Sequence, residues 1–205
     1  MDEKHKEHNI YQKKYFKNNI DVFRGEIPGD VKQRTGAIVA AARLTPQDRV
    51  LDVGTGLGVL VPYFQRYNVN EIVGCDLNPA MLADARRYYP TLTFWCGDFI
   101  DFPQKFGLFD AVFFNAVFGN VWDQRATLKK AATLLNQNGR IIISHPMGAA
   151  FAEELHRQDS RMVLHPLPNE EQLNEMIKDL SLKVQLFRSD EDLYISVLDL
   201  FDIQN

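Results

Sequence analysis

The sequence predicts an α/β fold: a seven-stranded, mostly parallel sheet with an antiparallel C-terminal strand and helices on both faces. Three observations carry this expectation. From residue 49 onward, short runs rich in β-branched and aromatic residues alternate with helix-like patterns, the rhythm of strand–helix–strand units. The first run, Arg49 to Val53, leads into three closely spaced glycines, Gly54, Gly56 and Gly58, and then a helical pattern. The last two runs are joined only by Ser189-Asp190-Glu191-Asp192, too short for a parallel crossover, so they must pair antiparallel.

The elements follow in order. Two amino-terminal helices, 9–23 and 30–44, are split by the breaker cluster Gly25-Glu26-Ile27-Pro28-Gly29. Strands are expected at 49–53, 71–75, 91–96, 109–115, 140–144, 183–188 and 193–199. Helices at 57–67, 79–88 and 124–136 join the first five, with a shorter, irregular connection after Cys96. Pro79 suits the first turn of its helix, and Asn138-Gly139 is placed to close the helix before it. The segment 148–168, bracketed by Pro146, Pro166 and Pro168, is expected as a structured loop or short helix over the sheet's edge, followed by a helix at 169–180.

Composition bounds the function. With 205 residues, 45% hydrophobic and 24% charged, the chain is an ordinary globular one. At this size a single core buries about 70% of the unfolded surface, so neither disulfides nor a structural metal is needed. Lys plus Arg number 23 against 27 Asp plus Glu, a net charge of -4, which argues against a surface that tracks a phosphate backbone. Residues 1–17 stand apart, with five lysines against three acids, a basic arm before an acidic body. The two cysteines, Cys75 and Cys96, have no CxxC spacing and no Cys/His cluster, so no metal site is expected and both read as small residues at strand ends. No stretch approaches the 18 or so apolar residues that would span a bilayer. The expectation is a cytoplasmic monomer or homodimer with neither membrane nor nucleic acid as partner.

The glycine-rich turn is the most informative stretch. Missing Cβ atoms at Gly54 and Gly56 let a ligand approach the backbone, and a following helix would present unpaired N–H groups to an anion. Asp76 ends the second strand, 22 residues after Gly54, near the spacing of a carboxylate that accepts from ribose hydroxyls. Asp98 ends the third, and both acids fall at the sheet's carboxyl edge, where open α/β sheets bind ligands. For each acid alone, a helix N-cap is the competing explanation. The third glycine comes two residues after the second rather than three, which separates the turn from the dinucleotide-binding fingerprint.

These motifs together resemble the class I S-adenosylmethionine-dependent methyltransferases, most closely the type 11 small-molecule group that includes ubiquinone and menaquinone methyltransferases. VLDVGTGLG is similar to the family's first motif, IVGCDLNPAML to the second, FWCGDF to the third, and FDAVFFNAVFGNV and LLNQNGRIIISHP to the fourth and fifth strands. The resemblance implies a Rossmann-like fold with S-adenosyl-L-methionine as cofactor and S-adenosyl-L-homocysteine as product. It implies that Asp52, Gly54, Thr55, Gly56 and Gly58 hold the methionine portion. Asp76 would take the ribose hydroxyls, Leu77 would lie against the adenine, Asp98 would accept from the adenine amino group, and the Phe99 N–H would meet the ring. Asn115 would sit beside the transferring methyl. The chain is then a single methyltransferase domain, 1–205: an arm or lid at 1–44, a cofactor-binding core at 45–146, a substrate-side insertion at 147–168, and a final helix and strand pair at 169–205.

Methyl transfer is an in-line displacement that chiefly needs alignment and exclusion of water. If a general base is used, the candidates are His145, just past the fifth strand, and His165 in the insertion; each precedes a proline, which favours extended backbone. The competing explanation is a hydrogen-bonded structural histidine. Among aromatics, Tyr11, Tyr15, Phe118 and Trp122 are placed as substrate or lid residues, while Phe16 and Phe23 read as a face packed on the sheet. The expected activity is methyl transfer to a small organic acceptor. Kept beside it are a non-catalytic cofactor-binding sensor or assembly protein, an RNA or protein methyltransferase, and a nicotinamide oxidoreductase.

Overall fold

The computed structural model describes residues 2–201. The amino-terminal arm forms α1 (Glu3–Asn18), α2 (Ile20–Arg24) and α3 (Gly29–Ala41). Then follow β1 (Arg49–Val53), α4 (Val61–Gln65), β2 (Glu71–Asp76), α5 (Pro79–Tyr88) and β3 (Thr93–Cys96). Two 3-10 turns, Phe99–Asp101 and Gln104–Phe106, lead to β4 (Phe109–Asn115), α6 (Gln124–Ala132) and β5 (Leu135–His145). The chain ends with α7 (Gly148–Gln158), α8 (Glu170–Ile177), β6 (Leu182–Ser189) and β7 (Tyr194–Leu200).

The seven strands form one sheet in the order β3-β2-β1-β4-β5-β7-β6. The first five are parallel, and β7 runs antiparallel to both β5 and β6. Strand order reverses between β1 and β4, the switch point at whose carboxyl edge such sheets open a crevice. Side chains alternate between two cores, as the period of two requires. From β5, Ile141 and Ile143 join Leu128 of α6 and Leu173 of α8 on one face. Ile142 joins Ile38 of α3 and Phe64 of α4 on the other. Helices therefore cover both faces, the α/β arrangement expected.

Several local expectations are corrected. The arm's first helix starts at Glu3 rather than residue 9, because the Asp2 side chain caps it by accepting from the His5 N–H at 2.8 Å. It breaks at Asn19, whose side chain donates back to the Tyr15 carbonyl. The helix expected at 57–67 shrinks to five residues, with a proline in its first turn. The helix expected at 124–136 ends at Ala132, and Asn138-Gly139 does not close it. Leu134 and Leu135 bury themselves at the sheet, the Leu134 carbonyl accepts from Phe109 N–H, and Asn138-Gly139 lies in an irregular entry to β5. The insertion carries a three-turn helix, α7, whose Gly148 (φ +78) faces the Glu191 carbonyl, which a Cβ would meet at 2.5 Å.

Candidate functional site

At the carboxyl edge, register sets the side chains in a row. Val53 pairs with Cys75 and with Phe114, Asp76 with Cys96, and Asn115 with Ser144. The turn after β1 thus meets the ends of β2 and β4. Gly54 (φ +68) packs so closely on Val117 that a Cβ would lie 2.6 Å from its side chain, and Gly58 (φ +84) packs equally closely on the Tyr89 ring. Gly56 (φ +55) has nothing within 4 Å of where a Cβ would project. That direction is into a cavity of about 800 Å³ that Gly54, Thr55 and Gly56 line together with Asp52, Asp76 and Asp98, within the size range of ligand sites.

The N–H groups of Gly54, Thr55, Gly56 and Gly58 are not free, contrary to expectation. Gly54 and Thr55 N–H both donate to the Cys75 carbonyl, at 2.9 and 3.0 Å, and Gly58 N–H donates to the Thr55 carbonyl. Gly56 N–H donates to Asp76 Oδ2 at 2.9 Å. The helix itself begins only at Val61. The N–H groups of residues 54–56 are spent inside the turn, and beside them a set of carboxylates faces the cavity. Asp76 is oriented by two backbone donors, Gly56 and Asn78. Burial pushes its carboxyl above the usual range, against those two hydrogen bonds. Asp52, 2% exposed, accepts from the Thr55 hydroxyl at 2.6 Å. Burial pushes it up to about 7, the hydroxyl pulling the other way and neighbouring Asp76 adding to the rise. An acid in such a site ionises readily once a cation lies beside it.

Asp98 is held from two directions. Its Oδ1 accepts from Ile100 N–H at 3.1 Å, and its Oδ2 from His5 Nε2 and Asn9 Nδ2, both at 2.8 Å. The two side-chain donors come from α1, which lies over the cavity. Leu77, Phe99 and Asn115 also line it. Asn115 Oδ1 accepts from the Ser144 hydroxyl at 3.0 Å, fixing the amide.

The remaining candidates separate sharply. Trp122 lines the cavity, stacked on His5 with ring centres 5.3 Å apart. Phe118 does not; it is fully buried against Phe114. Tyr11 and Tyr15 do not either, while Phe16 and Phe23 do, reversing the expectation. Tyr11 points sideways, donating to Asp159 and lying under the Arg161 guanidinium. Positions 5, 8, 9, 12 and 16 form the inward stripe of α1, and the two tyrosines fall beside it. His145 is absent from the lining, where Pro146 and Met147 stand instead. Its Nδ1 accepts from Met147 N–H at 3.2 Å, its ring lies against Phe151, and burial pushes its pKa down to about 4. His165 is also outside the lining; its Nε2 meets the Trp122 carbonyl at 3.1 Å and its N–H donates to Gly119. Neither imidazole is aimed at the cavity. Among the described residues, no group of three or more His, Cys, Asp or Glu gathers as a metal site, and no helix is long and apolar enough to cross a membrane.

Sequence reasoning missed His5, His8, Asn9, Gln12 and Asn120, all of which line the cavity. The available signal was polar residues at helical spacing in a segment read for its aromatics. Another part of the lining is of a different character. Val22, Phe23, Ile27, Val31, Met147 and Phe151 line it, and Thr35, whose hydroxyl donates to Val31 within α3, is its polar exception. Arg34 fastens this wall from behind, donating to the Pro146 carbonyl at 2.7 Å and pairing with Asp30 and Asp192.

Comparison with known proteins gives a consistent picture. Residues 51–143 match the family described as a methyltransferase domain. The chain is 33% identical over 119 residues to a demethylmenaquinone methyltransferase of Thermus thermophilus, covering 56% of this chain and 54% of that one. It is 31% identical over 108 residues to the Beutenbergia cavernae protein of the same name, covering 53% and 45%. The chain therefore spans about half the length of the curated relatives it matches. Among solved structures, the magnesium protoporphyrin IX methyltransferase of Synechocystis PCC 6803 with bound S-adenosylhomocysteine superposes with a TM-score of 0.69, covering 94% of this chain and 98% of that one, at 18% identity. A [4+2]-cyclase superposes at 0.61, covering 77% and 60%, at 19% identity. At such identities the superpositions speak to the fold alone.

Proposed function

We propose that the chain is a class I S-adenosylmethionine-dependent methyltransferase of the ubiquinone and menaquinone methyltransferase-like type, and that it methylates a small, uncharged, largely apolar acceptor. The observation that carries this reading is a single cavity with two unlike walls. One wall presents Asp52, Asp76 and Asp98 beside the open face of Gly56; the other, from residues 22–35 and 146–151, lines the cavity with no charged side chain. The name of the matched relatives supports a small-molecule acceptor.

The residues present fit the cofactor. Gly56 leaves clear the space a Cβ would fill, and Asp76, already oriented by two N–H donors, keeps acceptor positions for a ribose diol, since a carboxylate takes about four donors. Asp52 would face the amino-acid end, where ionisation beside an ammonium relieves its burial. Asp98 would meet the adenine. When bound, S-adenosylmethionine supplies an electrophilic methyl on a sulfonium whose leaving group is S-adenosylhomocysteine. The chain's own contribution is to align and to exclude water. Asn115, pinned by Ser144, and the exposed apolar side chains of Val22, Phe23 and Phe151 would contact an acceptor and cover it from water. No titratable side chain on that wall can take a proton from it. An acceptor held on that wall would be one that ionises with little help, such as an activated carbon, thiol or phenol, the His5 and His8 imidazoles lining the same cavity from α1. In this reading 45–146 remains the cofactor core and 147–168 the acceptor side, while the arm 1–44 serves both.

The test is formation of S-adenosylhomocysteine from S-adenosylmethionine across neutral apolar and charged acceptors of similar size. Turnover is expected with neutral phenol-like or carbon-acid acceptors, and Phe23→Ala should raise their KM with little change in kcat. Preference for charged acceptors would overturn the acceptor assignment. Tight binding of S-adenosylhomocysteine with no turnover of any acceptor would favour the non-catalytic binder.

A further inference from the structure

We propose that α1 completes the adenine end of the cofactor site, with His5 and Asn9 as positioning residues that latch the helix onto Asp98 as a roof. The proposal rests on the cofactor reading above. It reassigns part of the basic arm from acceptor to cofactor.

The adenine end is defined by Asp98, whose Oδ2 takes both His5 Nε2 and Asn9 Nδ2 while Oδ1 takes one backbone N–H. Three donors on a group with about four acceptor positions leave room for one more, an amino group. The same two α1 side chains line the cavity, and the His5 ring lies parallel to Trp122, at an interplanar angle of 10°. The stacked imidazole and indole are the aromatic element at this end of the cavity, the kind of group a purine ring packs against. The cavity of about 800 Å³ lies beneath α1 as docked. The helix is therefore a roof over the ligand space and not a plug filling it.

The fastening of α1 is of a particular kind. Its buried residues are His5, His8, Asn9 and Gln12, with no apolar side chain among them. His8 Nε2 meets the Asn120 carbonyl at 2.7 Å, Gln12 Nε2 donates to the carbonyls of Arg161 and Met162, and the Lys13 carbonyl accepts from Asn78 Nδ2 at 2.9 Å. Each such hydrogen bond adds little net stability because it replaces one to water, whereas burying an apolar face adds more. A helix fastened mainly through polar groups, with the His5 and His8 rings on Trp122 and Phe16 on Phe23 beside them, sits toward the low-stability end of the structure and opens locally before the core does. The same contacts tie it to the Asn78 turn on one side and to residues 159–163 on the other. Lifting α1 admits the cofactor; docking it, with the adenine amino group sharing Asp98, retards release.

The test uses the full chain carrying Trp95→Phe, so that Trp122 is the one tryptophan left, with S-adenosylhomocysteine and stopped-flow fluorescence. In the His5→Ala/Asn9→Ala double variant, the dissociation rate should rise at least tenfold and Kd with it. His5→Gln should recover part of the loss, because an amide donor still reaches Asp98. Hydrogen exchange of amides 5–12 should slow on ligand binding in the wild type and not in the double variant. If the double variant does not fold, the His5→Gln and His5→Ala single variants carry the same comparison. Unchanged dissociation, or tighter binding in the variants, would overturn the roof and leave the cofactor reading standing. Failure of the wild type to bind S-adenosylhomocysteine would overturn both.

Discussion

Asp52 links proton binding to ligand binding, and Asp52→Asn tests the link. Burial pushes its carboxyl up to about 7, with the Thr55 hydroxyl opposing and Asp76 adding to the rise. A carboxyl ordinarily ionises near 3.9. Because the folded value is raised, its stabilising contribution is fully present below about pH 4 and is lost as pH climbs through about 7. The span corresponds to a few kcal/mol, on the order of 1.4 per unit. A ligand ammonium placed beside the carboxylate reverses the balance by favouring ionisation. In the free protein Asp52 is about one-tenth ionised at pH 6 and about nine-tenths at pH 8. Affinity for S-adenosylhomocysteine should therefore rise about tenfold across that interval, with nearly one proton released per ligand at pH 6 and almost none at pH 8. Isothermal titration in two buffers of different ionisation enthalpy measures both quantities. Asp52→Asn should bind more weakly at pH 8 and show neither the slope nor the release. A flat profile in the wild type, or the same slope in Asp52→Asn, would refute the assignment and shift attention to Asp76, which burial also pushes up.

Other substitutions separate binding from folding. Gly56→Ala should cost about 1 kcal/mol of stability for its positive φ yet weaken S-adenosylhomocysteine binding at least tenfold, because its Cβ enters the cavity. Gly58→Ala, which drives a Cβ to 2.6 Å from the Tyr89 ring, should lower the melting temperature more; equal effects on both readouts would count against a ligand-facing Gly56. Arg140 pairs with Asp48 and also donates to the carbonyls of Ala42 and Arg43, both side chains being about 90% buried. Arg140→Met should destabilise by about 3–5 kcal/mol in denaturant unfolding, and adding Asp48→Asn should recover part of that; full additivity of the two losses would refute the pairing. His145→Asn should leave kcat and its pH profile nearly unchanged, and a loss of about a hundredfold or more would restore His145 as the base.

The sheet was legible because its strands are short apolar runs that nothing else explains, and because four residues between the last two forbid a crossover. Asp76 and Asn115 end their strands as expected, because the period of a strand and its stopping point are local properties, whereas Asp98 lies two residues past β3 and caps the 3-10 turn Phe99–Asp101. Helix lengths were less so. The helix expected at 57–67 shortened because the turn spends its backbone donors on Cys75 and Asp76 before Pro62 opens the first regular turn. The role of α1 was hidden because its inward face is polar, and polar residues at helical spacing read as solvated until Asp98, Asn120 and Met162 are seen to receive them. Helix phase decided between Phe16 and Tyr15, neighbours in sequence that face different ways. His145, expected just past a strand at 140–144, is the last residue of β5, and its ring lies against Phe151 and outside the cavity lining, a choice made by tertiary packing that flanking residues do not encode.

The central claim is that this cavity takes an adenosyl cofactor on Asp52, Asp76 and Asp98. The most direct measurement is parallel titration of the wild type and Asp76→Ala with S-adenosylhomocysteine and with NADH, read by calorimetry and by melting temperature. The expected result is one S-adenosylhomocysteine bound per chain with a raised melting temperature, lost or much weakened in Asp76→Ala, and no effect of NADH. Binding of NADH in its place, or S-adenosylhomocysteine affinity indifferent to Asp76, would contradict it.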